Sequence, residues 1–399
     1  MKWKVPDGLL FTFYALPLFF FPLSTAGAGI SAALFLLIYM ASGYWREWRK
    51  IGQRPWAIPL ALLIIWTIFG LLWTKDMSFG IKVTEATSYG VYAFIGSTLA
   101  WQEKWVKHLI RLFLYGIIIN GVFSLLMTWS ILPWKNTDNI PYTGFADHIF
   151  LSLILTHALL WTIWDLYYCW NFPRWANLFI GISLFSQLAI TPGRSGQALL
   201  ILLLPVAAWL LYKGRWRYWA SIAVAGLVLG MLFIPSIQSH IAVGIHELEQ
   251  FNLHQENVYS SWGIRLVAMI GGLQMFLAHP FFGVGTGDFY PTILTMQAHH
   301  EIPATPGFIM NTSANSFISE AAVLGIVGLS LFLWFLWELS KEAWQAKRLP
   351  QGWFSVTYIA IYIIGGLFDS LSWGYADAIT IALIAGLPLY KEITPRPAQ

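Results

Sequence analysis

The chain has 399 residues, of which 57% are hydrophobic and 11% charged, and it carries a formal charge of +4. A soluble domain averages about a quarter charged residues and has no core large enough for this much apolar surface, which excludes a soluble enzyme. The basic balance does not signal nucleic acid, because the basic residues are distributed by loop position, and the lone Cys169 allows no intrachain disulfide.

An apolar run at 8–25 follows the basic opening MKWK. It has the outline of a cleavable signal peptide, but its 18-residue length and the charge pattern of the later loops favour a retained span. Further runs follow at 28–44, 56–73, 86–101, 108–131, 148–168, 176–190, 198–212, 218–236, 315–337, 353–369 and 377–390. Each approaches the roughly 20 apolar residues that cross a bilayer as a helix. The expected fold is all-α, a polytopic integral membrane protein of about twelve transmembrane helices, with residues 1–399 forming one membrane domain. Many of the 23 tryptophans sit at run ends, as at Trp45, Trp48, Trp56, Trp101, Trp105, Trp134, Trp216 and Trp219, where they form an interfacial belt.

With the N-terminus inside, eighteen of the 23 Lys and Arg residues fall on the inner side. Only Lys75, Lys82, Lys135, Arg194 and Arg265 lie outside. Losing one span would move either Arg46 to Arg54 or Lys341 to Arg348 to the outer face, so both termini are expected in the cytoplasm. Residues 237–313 then form a large outer loop containing short helices.

Two outer segments stand out. Thr191-Pro192-Gly193-Arg194-Ser195-Gly196-Gln197 joins the seventh and eighth spans, and a Pro-Gly turn accounts for everything in it except Arg194. An arginine held at the membrane boundary against the positive-inside bias needs an anionic partner. The second segment runs from Trp262-Gly263-Ile264-Arg265 to Asp288-Phe289-Tyr290. Its apolar stretch 266–278 has 13 residues, too short to span, and reads as an interfacial or re-entrant helix ended by Pro280. Arg265, Ala268, Gly272 and Met275 share one face, on which small side chains leave room for a ligand. An Arg that snorkels to lipid headgroups explains this helix about as well.

Gly283-Val284-Gly285-Thr286-Gly287 lacks the spacing and context of a dinucleotide loop and is a glycine turn. Histidines 240, 246, 254, 279, 299 and 300 are scattered, without zinc-ligand spacing, and no G-x-S-x-G elbow is present.

The Gly-Arg-Ser-Gly turn, the His279-Pro280-Phe281-Phe282-Gly283 segment and Asn315-Ser316-Phe317 through Gly325-Ile326-Val327-Gly328 together resemble the O-antigen ligase and polymerase superfamily. That resemblance implies a periplasmic active site in a bacterial inner-membrane glycosyltransferase, taking glycan from an undecaprenyl diphosphate carrier with neither nucleotide sugar, cofactor nor metal. Arg194 and Arg265 match the superfamily's arginines and would bind the diphosphate, with Asn315, Gly283 and Gly285 in supporting positions and part of the site in the 237–313 loop. The superfamily's general-base histidine falls at Ala314. A methyl group takes no proton, so either another group supplies the base, with His299 and His300 nearest in sequence, or the chain binds glycan but transfers it poorly. A compact chain favours a ligase, with lipid A core as acceptor, over a polymerase that extends carrier-linked glycan. A flippase or other transporter is disfavoured because Asp165, Glu320, Asp369 and Asp377 lie near span ends rather than along a path through the bilayer.

Overall fold

A computed structural model describes residues 5–133, 143–233, 235–253, 255–308 and 310–389. Trp134, Lys135 and His254 lie outside the described residues, as do the side chains of Trp216 and His240. The described residues are helical and form no strand; a single bridge pairs Asn257 with Ala304.

The first helices are α1 (Asp7–Phe20), α2 (Thr25–Ser42), α3 (Ala57–Phe69), α4 (Met77–Ser88), α5 (Val91–Thr98), α6 (Glu103–Thr128), α7 (His148–Tyr168) and α8 (Arg174–Ile190). Then come α9 (Arg194–Leu211), α10 (Arg215–Leu232), α11 (Pro235–Glu249), α12 (Ser261–Ala278), α13 (Phe289–Ala298), α14 (Ser316–Gln345), α15 (Pro350–Gly365) and α16 (Tyr375–Ala385). Every expected span contains helix, but 86–101 is divided between α4 and α5 at Gly90, where a Cβ would press on Leu60 and Ile64 of α3. Six described helices, namely α2, α6, α7, α9, α12 and α14, are long and apolar enough to cross a membrane. The count reaches seven if the bent pair Tyr44–Gln53 and Ala57–Trp73 makes one span. The chain is thus an integral membrane protein, with fewer full-length spans among its described residues than the twelve expected.

Local chemistry sets the boundaries. Ser24, Asp147, Ser260 and Asn315 each accept a backbone N–H in the first turn of α2, α7, α12 and α14. The Ser260 cap makes α12 an 18-residue helix that begins in the polar Ser261-Trp262 stretch, five residues before the apolar run, so the expectation of a helix too short to span is corrected. α7 is buried along most of its length and packs on α8, α9 and α15.

At one end of the bundle the basic loops meet. The buried Arg54 guanidinium pairs with Glu342 at 2.9 Å and donates to the carbonyls of Ala385 and Leu387, joining the α3 entrance to the ends of α14 and α16. Arg111 donates to Asn171, and Lys107 lies over the Trp170 ring. At the opposite end, Asp288 accepts the backbone N–H groups of Lys75 and Asp76, tying α13 to the turn before α4.

α14 is broken near this second end, where Gly325 adopts φ 67° and ψ −167°. A break frees backbone groups that must find partners in an apolar setting. Val284 N–H and Gly285 N–H donate to the carbonyls of Ala322 and Val323, the Trp66 indole donates to the carbonyl of Leu324, and Ile326 N–H donates to the carbonyl of Pro280. The glycine turn after α12 is therefore the splint of a broken helix.

Candidate active site

The ends of four helices enclose a cavity of about 520 Å³. His148 comes from the start of α7, Arg194 and Ser195 from the start of α9, Trp262 and Arg265 from the start of α12, and Gly365 and Phe368 from the end of α15 and the turn beyond it. Leu199, Leu202, Ala198, Ile149 and Ile364 supply an apolar wall.

The glycines of the Arg194 turn explain how α9 reaches this position. A Cβ at Gly193 or Gly196 would overlap Ser152 of α7, whereas glycine lets the chains close, with Gly196 N–H donating to Ser152 Oγ and Thr156 Oγ1 donating to the Gly196 carbonyl. Gln197 donates to the carbonyls of Leu188 and Thr191 and fixes the preceding turn. Arg194 is half-buried and has no hydrogen-bond or ion-pair partner among the described residues.

Three helix N-termini converge here, and they are capped differently. Asp147 accepts from Ile149 and Phe150 at α7, and Glu247 accepts from Trp262 at α12. α9 has no side-chain cap. The electropositive end without a protein anion is thus the one that carries Arg194, an arrangement suited to an anionic ligand.

Arg265 projects from the first turns of α12, its guanidinium 3.7 Å from Asp369 Oδ2 and 6.0 Å from the Trp262 ring. A contact of 3.7 Å is too long for a hydrogen bond, which leaves the fork available to a ligand. Burial pushes the Asp369 carboxyl above its ordinary range, against the opposing pull of Arg265, the Ser370 N–H and His148. Ala268, Gly272 and Met275 do not open onto the cavity; they are buried, and a Cβ on Gly272 would press on Ile318, Ser313 and Phe289. The small residues on that face of α12 make room for α14, not for a ligand.

Ala314 has the left-handed φ of 53°, uncommon for a residue with a side chain, and does not line the cavity. Its neighbours fasten it: Ser313 Oγ donates to the Asn315 carbonyl, Asn315 caps α14 and donates to the Leu367 carbonyl, and Ser316 N–H bonds to the carbonyls of Gly366 and Asp369. It therefore lies beside the turn that carries Phe368 and Asp369. Gly283 and Gly285 pack against α14 and against Trp73 and Thr74, away from the cavity. His299 is exposed beside Glu301, and neither it nor His300 lines the cavity. Sequence reasoning passed over His148, hidden as the first residue of a span, and weighed Asp369 only as a span-end acid. An Asp-His pair at a helix start on the outer side was the available signal.

Fold and cavity define an integral membrane protein with a pocket at one end of its helical bundle, lined by two arginines and a largely apolar wall. Residues 178–333, from α8 to the middle of α14, match the family model described as O-antigen ligase, which supports the resemblance to the O-antigen ligase and polymerase superfamily. That family is one of glycosyltransferase-like membrane enzymes acting on lipid-linked glycans. The matched region holds Arg194, Arg265 and Ala314. No curated protein matches the chain.

Proposed function

We propose that this protein is an O-antigen ligase of the bacterial inner membrane, transferring glycan from undecaprenyl diphosphate to lipid A core on the periplasmic face, with both termini in the cytoplasm. The observation that carries the reading is that Arg194 and Arg265, from separate outer segments, line one cavity whose remaining wall is largely apolar. A diphosphate joined to an isoprenoid has that same pairing of anion and hydrocarbon. As the anomeric C–O bond breaks, charge grows on the departing diphosphate, and two guanidinium groups meet it without proton exchange. They carry the charge that a divalent ion would otherwise neutralise, so transfer is expected to persist in EDTA.

The test is in vitro transfer by the full chain in nanodiscs, with purified carrier-linked glycan as donor and rough lipopolysaccharide, which lacks O-antigen, as acceptor. Glycan on lipid A core supports the ligase. Longer carrier-linked chains in its place identify a polymerase, and the absence of any glycan product rejects transfer as the function.

A further inference from the structure

Glycosyl transfer to a hydroxyl requires that the hydroxyl lose its proton as the new bond forms. Residue 314 offers only a methyl group and does not line the arginine cavity. The other histidines are placed elsewhere. His157 is fully buried among Phe113, Phe354 and Tyr358 and bonded to Thr357, and His108 is bonded to Thr12 of α1. His246, His279, His299 and His300 do not line the cavity. Among the described residues, His148 is the one histidine that does.

We infer that His148 is the catalytic base of this chain, accepting the acceptor hydroxyl's proton in the cavity where Arg194 and Arg265 receive the diphosphate. The inference rests on the glycan-transfer reading above. Its support is geometric. Asp147 uses Oδ1 to accept from Ile149 and Phe150, at 2.9 and 3.1 Å, which locks its carboxylate and leaves Oδ2 facing His148 Nδ1 at 3.6 Å. At 3.6 Å this is a charge contact rather than a hydrogen bond, and it lies on the Nδ1 side of the ring, across from Nε2. The ring is about one-third exposed, enough to meet a substrate hydroxyl.

The step balances. The acceptor oxygen bonds to the anomeric carbon as the bond from that carbon to the diphosphate oxygen breaks; the bonding pair leaves with the diphosphate, and the hydroxyl proton passes to Nε2 and on to water. The imidazolium formed has Asp147 and Asp369 as carboxylate neighbours, and Arg194 and Arg265 as like charges that the incoming diphosphate offsets. The superfamily's histidine position is thereby served from the start of α7 rather than from the start of α14.

The experiment compares the full chain with His148→Ala and His148→Gln in nanodiscs, measuring binding of purified undecaprenyl diphosphate-linked glycan separately from its transfer to rough lipopolysaccharide. Transfer is expected to fall by about a hundredfold or more in both variants, the usual cost of losing a general base, with carrier binding changed less than about threefold. Free imidazole should restore part of the rate to His148→Ala, and His299→Ala with His300→Ala should leave the rate of the parent chain unchanged. Retained transfer in both His148 variants overturns the inference while leaving the glycan-transfer reading intact. So does a parent chain that binds carrier without transferring it until Ala314→His is introduced. Absence of transfer by the parent and by Ala314→His alike overturns both.

Discussion

Two arginines illustrate how environment decides what a charge does. Arg54 is sealed at the basic end, its guanidinium consumed by Glu342 and two carbonyls. Removing one partner of such a pair strands the other, so Arg54→Ala is expected to cost about 3–5 kcal/mol of stability and to lower the yield of folded protein in detergent, measured by size-exclusion chromatography. Arg194 has no such partner and should behave oppositely. Arg194→Ala and Arg265→Ala are each expected to weaken carrier binding or transfer at least tenfold while leaving expression unchanged, whereas Lys82→Ala, an exposed cation outside the cavity, should have little effect. Arg→Lys should rescue only in part, because an ammonium presents no planar fork. Equal losses at all three positions would point to a diffuse field instead. The arginines were legible in the sequence because they violate a charge rule. His148 was not, since an imidazole opening an apolar run looks like any helix start, and only the tertiary approach of α7, α9 and α12 gives it a role.

Helices show the same division. Apolar runs located nearly every element, yet their ends followed capping chemistry, so α12 begins at a serine cap within polar sequence and α4 parts from α5 at a glycine where a Cβ would press on α3. The break in α14 was not readable from hydropathy, which is continuous through Gly325, because its cause is a set of partners more than 30 residues upstream. Gly283 and Gly325 both need positive φ, and a Cβ at either would overlap the opposing backbone. Gly283→Ala and Gly325→Ala are therefore expected to destabilise the protein by about 1–3 kcal/mol each, read as a fall in thermal unfolding temperature. Because the two positions splint the same break, the double variant should lose less than the sum of the singles.

For the molecule as a whole, segregation of basic loops to one end of the bundle predicts its orientation. Reporter fusions after Lys50, Arg217 and Arg348 should report cytoplasm, and a fusion at Asn252 should report periplasm. A cytoplasmic signal at Asn252 would place the arginine cavity on the wrong face for a periplasmic transferase. The apolar wall of that cavity continues outward: Leu202 lines it, and Leu202, Val206 and Trp209 follow one exposed face of α9. In the function proposed above, an isoprenoid tail would lie along this strip while its diphosphate sits between the arginines, so the carrier would arrive sideways from the lipid without crossing bulk water. What the enzyme senses is then the two-dimensional crowding of carrier among other lipids. Diluting a fixed amount of carrier with inert phospholipid should slow transfer in proportion to its falling mole fraction, even when its concentration per volume of solution is held constant.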